Sequence, residues 1–213
     1  MELEVIVLAA GKGTRMYSDI PKVLHRIGGK SMLAHVVDAA AKLKATKTHL
    51  VTGYQGDLVR QSFAADSTLN WVEQAEQLGT GHAVMQVLPH LQKNSTVLIL
   101  YGDVPLLKTG TLLLLLEKTR NAAVAVLTLI TETPHGLGRI VRDANGSATA
   151  IVEEKDADAE QQKISEINSG IIAVSAAHLS RWLARLTTGN AQGEYYLTDI
   201  IALAHSDGEA IET

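Results

Sequence analysis

The stretch Val5–Met16 reads VIVLAAGKGTRM, an apolar run followed by a loop that holds two glycines and two cations. An unbroken apolar run is typical of a strand buried on both faces. Helical patterns separate this run from later ones, as at Met32–Leu43, where Ser31 is a candidate N-cap. The order predicts an α/β fold, Rossmann-like, with a mostly parallel sheet flanked by helices. The other strongly apolar runs are His49–Gly53, Val97–Tyr101 and Ala123–Ile130.

Weaker patterns complete the predicted order of elements. We expect shorter strands at Ile140–Val141, Thr149–Glu153 and Asn168–Val174. Helices are predicted at Leu58–Ala65, Gly81–Leu91, Leu112–Thr119, Ala176–Leu186 and Leu197–His205. Ligands of such sheets bind beyond the carboxyl ends of the strands, so the chemistry is expected just after Ala10, Tyr101 and Ile130.

Composition limits the function classes that the chain fits. The 213 residues suit one domain, and the net charge of −4 is spread over 19 basic and 23 acidic residues. This dispersion offers no sustained basic face for nucleic acid or a membrane surface. The absence of cysteine excludes disulfides and thiolate chemistry. The start at Met1–Glu4 lacks a signal-peptide pattern, so we expect a cytoplasmic protein.

The glycine-rich loop differs from two well-known phosphate-binding motifs. The dinucleotide fingerprint would need glycine at Met16, and a P-loop ending in Gly29-Lys30-Ser31 would need glycine at Leu24. The second stretch is therefore interpreted as a turn and a helix start. On two glycines alone, an ordinary strand-to-loop turn stays an equal alternative for the first. Lys22, fixed behind Pro21, could likewise be plain solvated surface.

The strings LAAGKGTRM and PKVL together resemble the signature of the sugar-phosphate nucleotidyltransferases. The resemblance implies the fold of that family and a loop that wraps a nucleoside triphosphate. It assigns Arg15 to the departing β- and γ-phosphates and Lys22 to the reacting phosphate. The loop residues that it assigns to the nucleotide are Leu8, Ala9, Ala10 and Gly11.

The block QAEQLGTGHA, residues 74 to 83, is a candidate base-binding segment. Gln74 offers both a donor and an acceptor to a pyrimidine edge, and the Gly79 backbone can approach closely. The plainer alternative is a loop with Thr80 as an N-cap, and His82 is interpreted as structural. The block resembles uridylyltransferases specific for N-acetylglucosamine 1-phosphate, which assigns Gln74, Gly79 and Thr80 to the nucleotide.

A carboxylate follows the strand predicted at Val97–Tyr101, in the sequence Tyr101-Gly102-Asp103. Magnesium favours one or two carboxylates together with substrate phosphates. A cap is the alternative for an isolated aspartate, but the preceding apolar strand favours a metal ligand. The resemblance implies that Asp103 binds Mg²⁺, that Tyr101 and Gly102 contact the substrate, and that a second protein ligand lies beyond the end of this chain.

Three further segments resemble the sugar-binding parts of the same family. They assign Gly138, Glu153 and Asn168 to the sugar, although each could be a turn or strand-end residue. With a late match at Gln192–Ile200, the resemblance covers nearly the whole chain. The chain is similar to the N-terminal part of the bacterial bifunctional N-acetylglucosamine-1-phosphate uridylyltransferase and glucosamine-1-phosphate acetyltransferase family.

That family implies transfer of UMP from UTP to N-acetylglucosamine 1-phosphate. The products are pyrophosphate and UDP-N-acetylglucosamine, a precursor for peptidoglycan and lipopolysaccharide. The sugar phosphate is already anionic at neutral pH, so it can attack the α-phosphorus in line without a general base. Two alternatives stay open: a related transferase that uses dTTP and glucose 1-phosphate, and a regulatory module that only binds the nucleotide sugar.

The segment Gly208–Thr213 is interpreted as an interrupted strand. We therefore expect residues 1–213 to be a nucleotidyltransferase domain cut short at its C-terminal end, without the β-helical acetyltransferase domain of the family. The resemblance implies trimers for the full-length family, whereas we expect this chain to be monomeric. With one magnesium ligand missing, it is expected to be slow or inactive.

Overall fold

A nine-stranded sheet organises the chain in the computed structural model, which describes residues 2–13 and 16–213. A separate two-stranded hairpin precedes the first helix. In chain order the strands are β1 Leu3–Ala9, β2 Arg26–Ile27, β3 Lys30–Ser31, β4 Lys47–Thr52, β5 Leu69–Glu73, β6 Thr96–Tyr101, β7 Val124–Ile130, β8 Arg139–Arg142, β9 Ala148–Val152, β10 Glu166–Ser175 and β11 Ile211–Glu212.

Four of the six strand pairings along the main path of the sheet are parallel, which confirms the predicted fold class. Its main path runs β11-β7-β10-β6-β1-β4-β5. Strand β1 pairs in parallel with β4 and β6, and β5 continues the parallel set beyond β4. Strand β10 runs antiparallel to both β6 and β7, while β11 pairs in parallel with β7. The pairing of β11 bears out the interpretation of residues 208–213 as containing a strand.

Helices cover both faces of the sheet. The side chains of β1 point alternately into two apolar clusters, one on each face. Val5 and Val7 join the cluster that contains side chains of the helices at Met32–Ala41 and Thr109–Lys118. Ile6 and Leu8 join the cluster that contains side chains of the helices at Ala176–Leu183 and Asp199–Ser206. No helix in the described part of the chain combines the length and apolarity needed to cross a membrane. The α-helices are α1 Met32–Ala41, α2 Gly56–Ser62, α3 Thr80–Met85, α4 Thr109–Lys118, α5 Ala176–Leu183 and α6 Asp199–Ser206.

The hairpin of β2 and β3 occupies the place of the second candidate phosphate motif. Gly28 and Gly29 form its turn with φ values of 58° and 88°, which glycine adopts without steric cost. Ser31 then caps α1 by accepting a hydrogen bond from the Ala34 amide at 3.1 Å. The interpretation of this stretch as a turn and a helix start is confirmed.

The helix predicted at Gly81–Leu91 is shorter than expected. It ends at Met85, and a 3₁₀ turn follows at Leu88–His90. Pro89 explains the break, because its ring would clash with the carbonyl group four residues earlier in a continuous helix. Thr80 is the first helical residue of α3 and makes no side-chain capping bond, so its interpretation as an N-cap is wrong.

A buried polar pair joins β1 to β4 at the amino-terminal side of the sheet. His49 Nε2 lies 2.9 Å from Glu4 Oε2, and both side chains are at most 1% exposed. The other oxygen of Glu4 accepts from the Gln92 amide at 2.7 Å. Burial lowers the pKa of His49 below its ordinary 6.5 and so favours the neutral ring. Burial would raise the pKa of Glu4, but hydrogen bonds from His49 and Gln92 hold it below its usual value.

These shifts predict a loss of stability in acid. The unfolded chain protonates His49 below its ordinary pKa of 6.5, whereas the folded chain resists, so stability falls as the pH drops below that value. Below the usual carboxyl range, Glu4 acts in the same direction because its pKa is also lowered. Thermal unfolding should show a midpoint that declines from pH 7.5 to pH 5.

His49→Gln supplies the matched control, because its amide can still donate to Glu4 but does not titrate. The decline between pH 7.5 and pH 5 should be smaller in this variant. An identical decline in both proteins would assign the acid sensitivity to other groups.

Candidate active site

An open cavity of about 470 Å³ lies at the carboxyl ends of β1, β5 and β6. Its size is that of a small-molecule site. Ten of the residues assigned from the sequence line it: Leu8, Ala9, Ala10, Gly11, Lys22, Gln74, Gly79, Thr80, Tyr101 and Asp103. The sequence analysis did not assign six others: Lys12, Gly13, Val23, Gln77, Ala83 and Glu194. The segment after Ile130, where chemistry was also expected, does not belong to the described lining of this cavity.

The glycine-rich loop leaves β1 and forms one wall of the cavity. Gly13 has a φ of 59°, and a Cβ atom there would lie 2.6 Å from Lys22 Cβ. Only a glycine lets the loop come so close to Lys22. Thr14 and Arg15 lie outside the described residues, so the role of Arg15 stays a prediction.

Lys22 forms an ion pair with Asp103 inside the cavity. Their side chains are 36% and 27% exposed, so solvent and ligands can reach both. The Gly102 amide donates to the Leu8 carbonyl group at 2.9 Å and so joins the end of β6 to the end of β1. Gly102 itself is covered, since a Cβ atom there would lie 3.0 Å from Leu33 Cδ1. The residue assigned to phosphate therefore neutralises the residue assigned to metal.

Asp103 fits a metal that draws most of its ligands from elsewhere. The described residues contain no group of three histidine, cysteine or carboxylate side chains that could hold an ion. Magnesium commonly uses one or two carboxylates and completes its octahedron with phosphate oxygens and water. A carboxylate that already holds a lysine ammonium group beside it, at the edge of a cavity, suits that role.

Gln74 directly follows β5 and lines the cavity on the side opposite the glycine-rich loop. The residue is only 3% exposed. Its Nε2 donates to the Gly79 carbonyl group at 3.1 Å and also lies 3.1 Å from His82 Nδ1. Gln77 Nε2 donates to the Gln74 carbonyl oxygen at 3.1 Å. The amide assigned to the base is thus immobilised by its own loop.

The turn that contains Gly79 and Gly81 is packed against the backbone of Tyr195. A Cβ atom on Gly79 would lie 2.6 Å from the Tyr195 oxygen, and one on Gly81 would lie 2.9 Å from it. The Gly81 amide donates to that same oxygen at 2.8 Å. Gly79 also has a φ of 109°, a conformation that favours glycine. Tyr195, within the late sequence match at residues 192–200, therefore holds in place the loop that the sequence analysis assigned to the base.

Thr80 and Tyr101 connect this wall to the next part of the site. Thr80 Oγ1 accepts from the Leu197 amide at 3.1 Å and is also hydrogen-bonded to Tyr101. Burial raises the pKa of Tyr101, and the nearby Glu153 carboxylate raises it further. Tyr101 therefore stays neutral and can donate or accept a hydrogen bond.

The three residues assigned to the sugar lie next to the cavity rather than in its lining. The Asn168 amide donates to the Gly138 carbonyl group at 2.8 Å, and a Cβ atom on Gly138 would lie 3.5 Å from the Glu153 carboxyl group. Asn168 Oδ1 accepts from the Gly170 amide at 2.8 Å. A Cβ atom on Gly170 would lie 2.8 Å from the Tyr101 ring, so these residues continue the site beyond Tyr101.

Glu153 is held by Thr198, whose Oγ1 donates to Glu153 Oε1 at 3.0 Å. Burial raises the pKa of Glu153, the Thr198 hydrogen bond opposes this shift, and the charge of Asp156 adds to it.

The sequence patterns could have identified two of the missed lining residues near Gln74. Gln77 lies within the same block as Gln74, and Glu194 lies within the late match.

The chain is similar to a curated protein of known type. It is 58% identical over 211 residues to the bifunctional protein GlmU of Saccharophagus degradans. The alignment covers 99% of this chain and 46% of that protein. The chain therefore spans about half the length of this relative.

Solved structures with low sequence identity have the same fold. A UDP-glucose pyrophosphorylase complexed with UDP-glucose aligns with a TM-score of 0.80 at 16% identity, over all of this chain and 90% of the other. A putative glucose-1-phosphate thymidylyltransferase from Bacillus anthracis aligns with a TM-score of 0.77 at 21% identity, over 99% and 85%. HddC from Yersinia pseudotuberculosis aligns with a TM-score of 0.70 at 18% identity, over 98% and 88%.

A family match agrees with the geometry of the cavity. The family of MobA-like NTP transferase domains matches residues 5–167, which include the glycine-rich loop, Gln74 and Asp103. This match covers well over half of the 213 residues. On that match, and with a sheet and cavity of the kind a nucleotide requires, the chain belongs to the MobA-like NTP transferase domain family.

Proposed function

We propose that this chain transfers UMP from UTP to N-acetylglucosamine 1-phosphate and so forms UDP-N-acetylglucosamine and pyrophosphate. The observation that carries the proposal is the convergence of Lys22, Asp103 and Gln74 on one cavity at the carboxyl ends of the strands. The 58% identity to a bifunctional GlmU protein supports the same activity. The site offers cations for phosphates, an amide for a base and a carboxylate for a metal.

The chemical step needs charge control rather than proton transfer. An oxygen of the sugar phosphate, ionised at neutral pH, forms a bond to the α-phosphorus of UTP. The bond between the α-phosphorus and the bridging oxygen breaks, and pyrophosphate leaves with the electron pair. Backbone amides of Gly11 and Gly13 and the ammonium group of Lys22 are placed to bind phosphate oxygens. Lys22 must exchange its contact with Asp103 for a phosphate during this process.

We infer that Asp103 holds Mg²⁺ together with phosphate oxygens of UTP. When bound, the ion supplies positive charge that offsets the negative charge developing on the leaving group. Loss of the Lys22 contact would leave the Asp103 carboxylate free to take this ligand role. Asp103 would hold the ion in place of its present partner, Lys22.

Recognition of the sugar is assigned to the extension of the site beyond Tyr101. The Glu153 carboxylate can accept from sugar hydroxyls, and the Asn168 side chain can meet the acetamido group. The Thr198 hydrogen bond stabilises the ionised form of Glu153 against its burial. A hydrogen-bond acceptor in a covered position favours a substrate that brings hydroxyl donors.

The direct test is magnesium-dependent release of pyrophosphate from several substrate pairs. UTP with N-acetylglucosamine 1-phosphate should give the highest kcat/KM, compared with dTTP and glucose 1-phosphate, as the likeness to a bifunctional GlmU protein suggests. A higher value with dTTP and glucose 1-phosphate would contradict the proposed substrates. Binding of UDP-N-acetylglucosamine without any pyrophosphate release would instead indicate a binding module.

Asp103→Asn should leave the fold intact and remove most of the activity. We expect kcat/KM to fall about 100-fold or more, the scale of several kcal/mol of lost charge stabilisation. Asp38→Asn is the matched control, because it removes another Lys–Asp pair at an exposed surface position. If Asp103→Asn worked as fast as this control in saturating magnesium, the metal assignment of Asp103 would be wrong.

Lys22→Ala and Gln74→Ala should produce different defects. The first removes charge near the reacting phosphates, so kcat should fall while the preference among UTP, CTP and dTTP stays the same. The second should mainly reduce that preference. Steady-state kinetics with the three triphosphates would separate the two, with Lys30→Ala as a control for loss of an exposed lysine. Unchanged base preference in Gln74→Ala would remove Gln74 from base recognition.

A further inference from the structure

His82 contacts the side chain that is proposed to contact the base. Its ring lies on α3, and its Nδ1 is 3.1 Å from Gln74 Nε2. The same Gln74 nitrogen is 3.1 Å from the Gly79 carbonyl oxygen. Gln74 is 3% exposed, so water does not compete for these contacts. The amide group of Gln74 therefore has two neighbours that determine which way it faces.

The Gly79 carbonyl group defines the chemistry of this arrangement. A carbonyl oxygen can only accept, so the nitrogen of the Gln74 amide must face it. The second N–H of that nitrogen then points to His82 Nδ1, which must be unprotonated in order to accept. In this arrangement Nδ1 is the accepting nitrogen of the His82 ring, and the ring proton lies on Nε2.

A second amide approaches the other side of the His82 ring. Gln86 Nε2 lies 3.1 Å from His82 Nε2 and 3.1 Å from the His82 carbonyl oxygen. A neutral imidazole accepts at only one nitrogen, so the two glutamines cannot both donate to the ring. Gln86 is more exposed than Gln74, so it can give up its contacts with His82 to water, whereas Gln74 cannot. The buried amide therefore takes the acceptor.

We propose that His82 is a positioning residue that sets the choice of base, by holding the Gln74 amide with its oxygen toward the cavity. This proposal rests on the uridylyltransferase function proposed above. With both N–H groups of Gln74 used inside the loop, the side chain presents only an acceptor to the ligand. Uracil carries a donor at N3, whereas cytosine carries a lone pair there. An acceptor-only side chain selects the first and repels the second.

The ring of His82 is itself held in place. It stacks on Tyr195 with centroids 6.3 Å apart and ring planes 28° apart. The Tyr195 carbonyl group accepts from the Gly81 amide one residue before His82, at 2.8 Å. Tyr195 therefore positions the His82 ring, His82 orients the Gln74 amide, and Gln74 contacts the base.

Two substitutions at His82 test this assignment. His82→Leu removes the acceptor, whereas His82→Asn keeps an oxygen acceptor close to the position of Nδ1. The ratio of kcat/KM for UTP to that for CTP should fall about tenfold or more in His82→Leu, the scale of one hydrogen bond lost beside a buried polar group. His82→Asn should keep most of the ratio, and KM for N-acetylglucosamine 1-phosphate should change little in either variant.

An unchanged ratio in His82→Leu, or an equal loss in both variants, would overturn the proposal. Nuclear magnetic resonance of the ¹⁵N-labelled wild-type protein gives an independent test that needs no variant activity. The His82 ring, identified as the signal lost in His82→Asn, should carry its proton on Nε2. A proton on Nδ1 would overturn the orientation argued here. Failure of the wild-type protein to use UTP would instead reject the proposed function and leave the ring assignment measurable.

Discussion

Strand β1 is hydrogen-bonded to a parallel strand on each edge and packed against helices on each face. Because both faces of β1 are covered, its side chains are mostly apolar, and the polar residues that line the cavity come only after the strand ends. Strand β6 ends beside it, and the Gly102 amide bonds to the Leu8 carbonyl group. Backbone pairing therefore sets the separation between the glycine-rich loop and Asp103. Glu4 is the exception within β1, and it is tolerated because His49 and Gln92 satisfy it.

The apolar runs of the sequence predicted the central strands and, through them, the position of Asp103. Strand β5 was not predicted, because LNWVE is short and mixes buried with exposed positions without a regular period. It lies at the edge of the parallel set, where no strand of the described residues pairs with its outer side. The omission matters because Gln74 follows β5 directly. In α3, the proline at position 89 marked an ending that apolar periodicity alone concealed.

Contacts between distant segments were beyond what the sequence patterns could predict. The sequence analysis assigned Lys22 to the reacting phosphate and Asp103 to the metal. Their ion pair depends on how a loop folds across the end of β6. Gly138, just before β8, and Asn168, in β10, meet through a backbone hydrogen bond although they are far apart in the chain. Spacing identifies candidate residues of this kind, but only packing shows which of them touch. Arg15 is the site residue whose position stays a matter of sequence resemblance.

One short segment, residues 195–198, touches both halves of the site. Its backbone meets the loop proposed to bind the base through Gly81 and Thr80, and its last side chain, Thr198, holds Glu153. Local opening of this segment would release both walls together, because neither wall keeps those hydrogen bonds without it. We therefore expect the two halves to open as one cooperative unit in hydrogen exchange. A nucleotide bound on one side would then slow exchange of amides on the other, even where it makes no contact.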